Sequence, residues 1–379
     1  MKKKIMFLMP AMIIGGAEKV LLNFFDIMDY DRYEVDLYVG TFSGELINQV
    51  PPQVNVKTIF PNYLTDRCCT LPYRLYGIDL GMKYFARKIR GDYDIGISFC
   101  DSLYSDLLLY SKANIKRKAV VIQSSYKTYV DWIKNKDERT LRRHEFRYGN
   151  MDTIIAVSEE AMGEFTSLFG KFNDMRVIYN PFNISRILSE AEDNEGVNLE
   201  GNKVNIVAVG RLNPVKGYDR LIKACAILKN KDLAFKVNII GTGAARAELQ
   251  KLIDELNLSD YVELKGFVEK AYPWVKDSDI YVMTSLSEGL PTALCEAMLL
   301  HKPVLTTNIS GCREVIESGK YGLMVEGSPE AIAEGLQKLI ENEELRQYYQ
   351  EQSRIKSASF NDDAILKEYY NLFDSDKIS

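Results

Sequence analysis

Residues 280–299 read IYVMTSLSEGLPTALCEAML. The first four are β-branched, aromatic or apolar, the composition of a short buried strand. Thr284 to Ser287 form a small polar loop, and Glu288 then precedes Gly289-Leu290. Pro291 suits the first position of a helix, where the missing N–H would be unpaired in any case. Beyond it, apolar Leu294, Ala297 and Met298 recur at helical spacing. Strand, tight loop and helix make one βα unit, and whether the chain repeats that unit decides the fold.

Both halves repeat it. After residue 203 the pattern predicts strands at Asn205–Val209, Lys236–Ile240, Val262–Leu264, Ile280–Met283 and Pro303–Thr306. Helices are expected at Tyr218–Lys229, Ala245–Leu256, Pro291–Leu299, Glu314–Ser318, Pro329–Glu341 and Glu344–Ser357, with a last amphipathic piece at Asp362–Phe373. In the first half, strands are expected at Lys4–Met9, Val35–Val39, Val56–Ile59, Ile95–Ser98, Ala119–Ile122, Thr153–Val157 and Arg176–Ile178. Helical stretches there include Ala17–Met28, Leu103–Ser111 and Glu159–Phe169. Such alternation implies an α/β class with parallel strands. The pattern stops at Asn180-Pro181, and the polar, acidic stretch Ser189–Asn202 reads as a linker. A chain of 379 residues has room for two domains. The expectation is therefore two Rossmann-like, doubly wound domains at 1–182 and 203–359, a linker at 183–202, and a ligand cleft between them.

With 46% hydrophobic and 27% charged residues, the composition is that of a folded protein. The start MKKKIMFLMPAMIIGGAEKV has the basic residues and apolar run of a signal peptide, but Pro10 and Gly15-Gly16 break it and it reads as a buried strand. No run approaches the ~20 apolar residues of a membrane span. The cysteines at 68, 69, 100, 225, 295 and 312 show no Cys-x-x-Cys spacing and suit reduced thiols in a cytoplasmic enzyme. With only His144 and His301, neither a His-based metal centre nor a Ser-His-Asp triad is expected. Residues 1–180 carry 25 Lys/Arg against 22 Asp/Glu, a net +3, whereas the remainder carries 23 against 31, a net −8. The basic excess concentrates in Lys112–Arg147, which reads either as a docking patch for an anionic partner or as a solvated helix face.

Four glycine-bearing turns follow strands. Gly15-Gly16 opens a helix, where backbone N–H groups and the positive dipole end favour a phosphate or a sugar; a plain tight turn explains it equally. In Gly210-Arg211-Leu212-Asn213-Pro214-Val215-Lys216-Gly217, Arg211 can grip phosphate oxygens in a fork and Lys216 adds a mobile charge. Gly241-Thr242-Gly243 has Arg246 where a dinucleotide fingerprint needs a third glycine, so it reads as a turn lining the site. The fourth is the opening segment, where Glu288 at the helix mouth and Glu296 inside the helix can each accept paired hydrogen bonds from vicinal hydroxyls.

Together these residues resemble the family 4 glycosyltransferases, which have the two-domain GT-B fold. The resemblance spans nearly the whole chain, from Gly15-Gly16-Ala17-Glu18 through Ala156-Val157-Ser158-Glu159, Tyr179-Asn180-Pro181 and Arg211/Lys216 to Glu288–Met298, Pro303-Val304, Gly311-Cys312-Arg313-Glu314 and Tyr321-Gly322-Leu323. It implies that the C-terminal helix crosses back, so that 360–379 join the first domain. It also implies that Arg211, Lys216 and Glu288 carry the chemistry, with the cations on the donor diphosphate and Glu288 on sugar hydroxyls. Glu296 would hold the ribose, and the turn Gly289, Leu290, Pro291 and Thr292 would cradle phosphate through its amides, Pro291 contributing shape and no N–H. Gly210 and Gly241 would line the donor site, Phe267 and Val268 would lie beside the base, and Gly16 would approach from the other domain. Relatives need no metal and no cofactor, the nucleotide-sugar being a substrate, and they retain anomeric configuration. One departure stands out: where many relatives have histidine after the strand Ala119–Ile122, this chain has Gln123-Ser124-Ser125. Gln123 can bond a sugar hydroxyl but cannot titrate near neutral pH. Gln123, Ser124 and Ser158 are the acceptor-side candidates.

The resulting expectation is a retaining hexosyltransferase using a nucleotide-sugar, UDP-linked, to extend a surface polysaccharide or lipid-linked saccharide at the inner face of the cell membrane. Residues 112–147, with Tyr126, Tyr129, Trp132 and Phe146 interleaved, are the candidate for acceptor or membrane contact. A weakly active nucleotide-sugar-binding partner subunit and a GT-B epimerase are the alternatives. Nucleic-acid binding explains only the basic stretch.

Overall fold

The computed structural model describes residues 2–126, 138–193 and 196–375. They form two units, Met1–Asn183 with Asp362–Ser379, and Ile184–Asn361. The first holds a seven-stranded sheet of β1 (Lys3–Met9), β2 (Tyr33–Val39), β3 (Val54–Thr58), β4 (Asp92–Ser98), β5 (Asn114–Ile122), β6 (Thr153–Ala156) and β7 (Met175–Val177). Their order is β3-β2-β1-β4-β5-β6-β7, and every pairing is parallel. The second holds six parallel strands, β8 (Val204–Val209), β9 (Phe235–Ile240), β10 (Val262–Gly266), β11 (Ile280–Met283), β12 (Val304–Thr307) and β13 (Leu323–Val325), in the order β10-β9-β8-β11-β12-β13. β13 has no counterpart in the sequence reading. Three half-buried edge residues leave too short a run to stand out.

Central strands read as unbroken apolar runs because helices cover both faces. Ile5, Met6, Phe7 and Leu8 are all wholly buried, as are Val237 and Ile239. Each sheet reverses its strand order once, between β1 and β4 and between β8 and β11. At such switch points the loops leaving the two strands diverge, and ligands bind beyond the carboxyl ends of the strands.

Helix Asp362–Asp374 packs on the first sheet. Tyr369 and Phe373 are buried against Phe24 and Phe7, with ring centroids 4.8 Å apart for Phe24–Tyr369 and 6.4 Å for Phe7–Phe373. Each such ring removes ~150–250 Å² from water, enough to hold the helix to this sheet. Arg117, buried beside it, donates to the Leu372 carbonyl at 3.1 Å.

The stretch 183–202 is not a plain linker. Ile184–Glu190 is a helix that buries Ile187 and packs against helices Tyr272–Asp277 and Thr292–Leu299. Ile184 and Ile187, three residues apart in an otherwise polar segment, share the face that docks it, while Leu188 is exposed. Lys276 then pairs with Glu192 at 2.7 Å, tying part of the acidic stretch to the second unit.

Candidate functional site

At the β8/β11 switch point three loops lock together through their backbones. Leu286 N–H donates to Val215 O at 2.7 Å, and Thr284 Oγ1 donates to Lys216 O and Gly217 O at 3.0 and 3.1 Å. Thr307 Oγ1 reaches over from β12 to Ser285 O at 2.7 Å. The loop after β9 joins by Leu212 N–H to Thr242 O at 2.8 Å and Ala245 N–H to Leu212 O at 3.0 Å. Two glycines permit this closeness. A Cβ on Gly217 (φ +64°) would lie 2.2 Å from Thr284 O, and one on Gly241 (φ +145°) 2.0 Å from Gly210 O.

On this floor stands one ion pair. Lys216 Nζ lies 2.6 Å from Glu288 Oε1, which also accepts from Ser285 Oγ at 2.6 Å. Both side chains are partly buried. Lys216 is aimed by its own turn: Asn213 caps it through Lys216 N–H, and the left-handed Gly217 ends it. Arg211, five residues earlier, is exposed beside it in sequence.

Glu296 lies half-buried in helix Thr292–Leu299 and accepts from Tyr272 Oη at 3.2 Å. Burial, then the charge of Glu296, pushes the Tyr272 hydroxyl far above the usual phenol range, so it stays a donor to that carboxylate. Pro291 is not the first helical residue. With φ −77° and ψ +78° it forms an inverse γ-turn in which Thr292 N–H donates to Leu290 O at 2.9 Å. That amide is already used within the turn, and the Leu290 side chain is buried. Phe267 is exposed after the Gly266 turn, whose carbonyl accepts from Gly241 N–H at 2.8 Å; Val268 follows it, half-buried.

In the first unit the β1/β4 switch point carries Gly15-Gly16. Helix Gly16–Ile27 has no side-chain cap. A Cβ on Gly16 would meet nothing within 4 Å, so protein packing does not require glycine there. Gln123 follows β5 and accepts from Asn180 Nδ2 at 3.1 Å, while Gln123 Nε2 and Asn180 Oδ1 are buried with no partner among the described residues. Ser124 is exposed. Ser158 leaves the acceptor-side candidates: it is wholly buried and its Oγ caps helix Glu159–Phe169 by accepting from Ala161 N–H at 3.1 Å.

Part of the basic stretch Lys112–Arg147 is structural, while Lys112, Lys116 and Arg142 are exposed. Arg117 and Arg147 are buried, Lys116 pairs with Asp94 at 2.7 Å, and Arg143 donates to Tyr73 O at 2.6 Å. Arg147 bonds Asp106 at 2.7 Å and Asp101 at 3.3 Å, with Tyr73, Tyr126 and Tyr148 hydroxyls on the same carboxylates. Tyr129 and Trp132 lie outside the described residues. Among the described residues no three His, Cys, Asp or Glu side chains converge as metal ligands, and no helix is long and apolar enough to cross a membrane.

The sequence assigns site roles to Arg211, Lys216, Glu288 and Glu296 but none to Tyr272, Ser285, Thr307 or Asn180. Those four are hydroxyls and an amide whose roles depend on partners distant in sequence.

Comparison with known proteins covers both units. Residues 14–186 match the model described as Glycosyltransferase Family 4, and residues 189–356 the model described as Glycosyl transferases group 1. An uncharacterized glycosyltransferase of Methanocaldococcus jannaschii is 30% identical over 335 residues, 83% of this chain and 82% of that one. The N-acetylgalactosamine-N,N'-diacetylbacillosaminyl-diphospho-undecaprenol 4-alpha-N-acetylgalactosaminyltransferase of Campylobacter jejuni is 31% identical over 224 residues, 58% of this chain and 60% of that one. The Anabaena protein HepE, solved with UDP and glucose, superposes with a TM-score of 0.72 at 20% identity, covering 98% of this chain and 99% of its own.

Proposed function

Because the chain belongs to the family 4 glycosyltransferases, we propose that it moves a hexose or N-acetylhexosamine from a UDP-sugar to a growing surface polysaccharide or lipid-linked saccharide. We further propose that it does so with retention of configuration, without a metal ion, and at the inner face of the cell membrane. The observation that carries the reading is the Lys216–Glu288 contact at the β8/β11 switch point. An ammonium and a carboxylate held together there match the two halves of a sugar nucleotide, an anionic diphosphate and a hydroxylated ring.

In this reading the donor diphosphate draws Lys216 and Arg211, and Glu288 exchanges the ammonium for sugar hydroxyls. The bond between the anomeric carbon and the phosphate oxygen breaks, and its electron pair stays with the departing nucleoside diphosphate. Lys216 and Arg211 stabilise that charge as it develops, which accelerates the step because the interaction strengthens toward the transition state. The acceptor hydroxyl oxygen bonds the anomeric carbon on the face the phosphate leaves, and its proton passes to the departing phosphate oxygen. Glu296, oriented by Tyr272, takes the ribose hydroxyls, and Phe267 offers a ring to the base. On the acceptor side, a hydroxyl would satisfy the Gln123 and Asn180 amide atoms that have no partner among the described residues. The Campylobacter relative's lipid diphosphate acceptor and the UDP and glucose in the Anabaena structure support this choice of substrates.

A panel of UDP-, GDP- and ADP-sugars tests it, read by thermal shift and by slow donor hydrolysis. A UDP-sugar at ~100 times its Kd stabilises the fold by about 2.7 kcal/mol. No shift and no hydrolysis with any of the panel would sink the reading.

A further inference from the structure

Helix Tyr63–Tyr76 turns its polar side inward. Asp66 and Tyr73 are buried, with Tyr104 Oη donating to the Asp66 carboxylate at 2.7 Å and Tyr73 Oη bonded to Asp106. Its outward side carries Leu64, Cys68, Leu71 and Leu75, all exposed, in steps of four, three and four residues that form one stripe. Tyr76 and Ile78 in the turn that follows, and Leu80 and Tyr84 on helix Leu80–Ala86, are exposed too, with Leu64 and Leu80 72% and 74% exposed. Of the 17 large apolar side chains exposed among the described residues, eight fall between Tyr63 and Tyr84. Scattered exposed leucines need no explanation, but such a concentration on one helix pair does.

Charge selects the occupant. Arg67, Arg74, Arg87, Lys88 and Arg90 are exposed around the stripe. The two carboxylates in the same segment are accounted for, Asp66 by burial and Asp79 by its 2.7 Å pair with Lys83. Lys88 Nζ lies 4.9 Å from the Tyr84 ring centroid, and Arg67 donates to Tyr63 Oη at 3.1 Å, so cations and amphipathic rings share one surface. A second copy on a two-fold axis would set these five cations against themselves. An anionic bilayer takes both features: leucines enter the acyl boundary, tyrosines sit at headgroup level, and cations meet lipid phosphates.

We propose that the hairpin Tyr63–Arg90 docks the chain on an anionic membrane surface, a role the sequence reading had assigned to residues 112–147. The hairpin leaves the carboxyl end of β3, the sheet edge that also carries Gly15-Gly16 and Gln123. Ile13 and Phe42, exposed in the turns after β1 and β2, extend the apolar rim along that edge. A lipid-linked acceptor would thus meet this edge without leaving the bilayer. That consequence rests on the functional reading above, whereas the docking does not.

The experiment is flotation of the full chain, without donor, with phosphatidylcholine vesicles containing or lacking phosphatidylglycerol. Wild type floats with the anionic vesicles and is released by salt. The triple variant Leu64→Ser, Leu71→Ser, Leu75→Ser and the triple variant Arg74→Glu, Arg87→Glu, Lys88→Glu each bind at least ~10-fold more weakly. Both keep the wild-type melting temperature and donor hydrolysis in solution. Wild type that fails to float, or variants that float like it, overturn the proposal. So does a wild-type dimer that the leucine variant converts to monomer, because a second copy would then be the cover. If the leucine variant does not fold, the charge-reversal variant decides alone.

Discussion

Lys216–Glu288 in the second unit and Arg147 with Asp101 and Asp106 in the first are both cation–carboxylate contacts, and they are built for different ends. Arg147 is 5% exposed, bonds two carboxylates, and shares them with three tyrosine hydroxyls. Burial pushes those phenols up, so they remain donors. Nothing in that cluster can leave without stranding a buried charge. Lys216 and Glu288 are only partly buried, and Glu288 keeps Ser285 as a second donor when the ammonium moves away. A contact that opens at low cost suits ligand exchange, and one that cannot open suits architecture.

The largest way to test the contrast is to break the closed cluster. Arg147→Ala leaves the buried Asp106 and the largely buried Asp101 carboxylates unbalanced and should cost about 3–5 kcal/mol of folding free energy, measured by urea unfolding. Turnover per folded molecule should stay near wild type. A loss under about 1 kcal/mol would mean the cluster is no anchor.

Lys216→Ala should invert that profile. Removing one group that stabilises developing charge lowers kcat by about 10²–10³-fold. Losing a partly exposed pair should change folding by less than about 1 kcal/mol. Donor affinity should fall far less than turnover. Unchanged kcat with intact folding would strip Lys216 of its role.

How much of this was legible in sequence follows from what periodicity encodes. Strand–loop–helix repetition marks twelve of the thirteen strands among the described residues, because buried parallel strands are plain apolar runs and their helices carry clear stripes. The segment Ser285–Met298 marked Glu288 and Glu296, since carboxylates in an otherwise apolar helix mouth are conspicuous. Its pairing with Lys216, 72 residues away, is tertiary and left no local trace. Arg147 misled for the opposite reason: a cation in a basic stretch looks solvated, and only three-dimensional proximity to Asp101 and Asp106 buries it. The hairpin at 63–86 shows a further limit. Spacing reveals that Leu64, Leu71 and Leu75 share a face, and cannot say that the face points outward.

The smallest effect belongs to a histidine packed on the closed cluster. His144 stacks on Phe169 with ring centroids 5.5 Å apart and sets Nδ1 3.2 Å from Tyr148 Oη. Burial first, then the Arg147 and Arg143 cations, lower its pKa to about 4, against the opposing pull of Asp101 and Asp106. The unfolded chain, with an imidazole near ~6.5, binds the proton more readily between those values. Stability is therefore complete above pH ~6.5 and declines as pH falls toward 4, by an amount on the order of 2 kcal/mol. Asp36, Asp94 and Asp174, all held below the usual carboxylate range, should add their own losses only at lower pH. His144→Gln removes the titrating group, so its unfolding free energy should be flatter than wild type between pH ~6.5 and ~5. Parallel curves for the two proteins would show that the imidazole is not held neutral by this cluster.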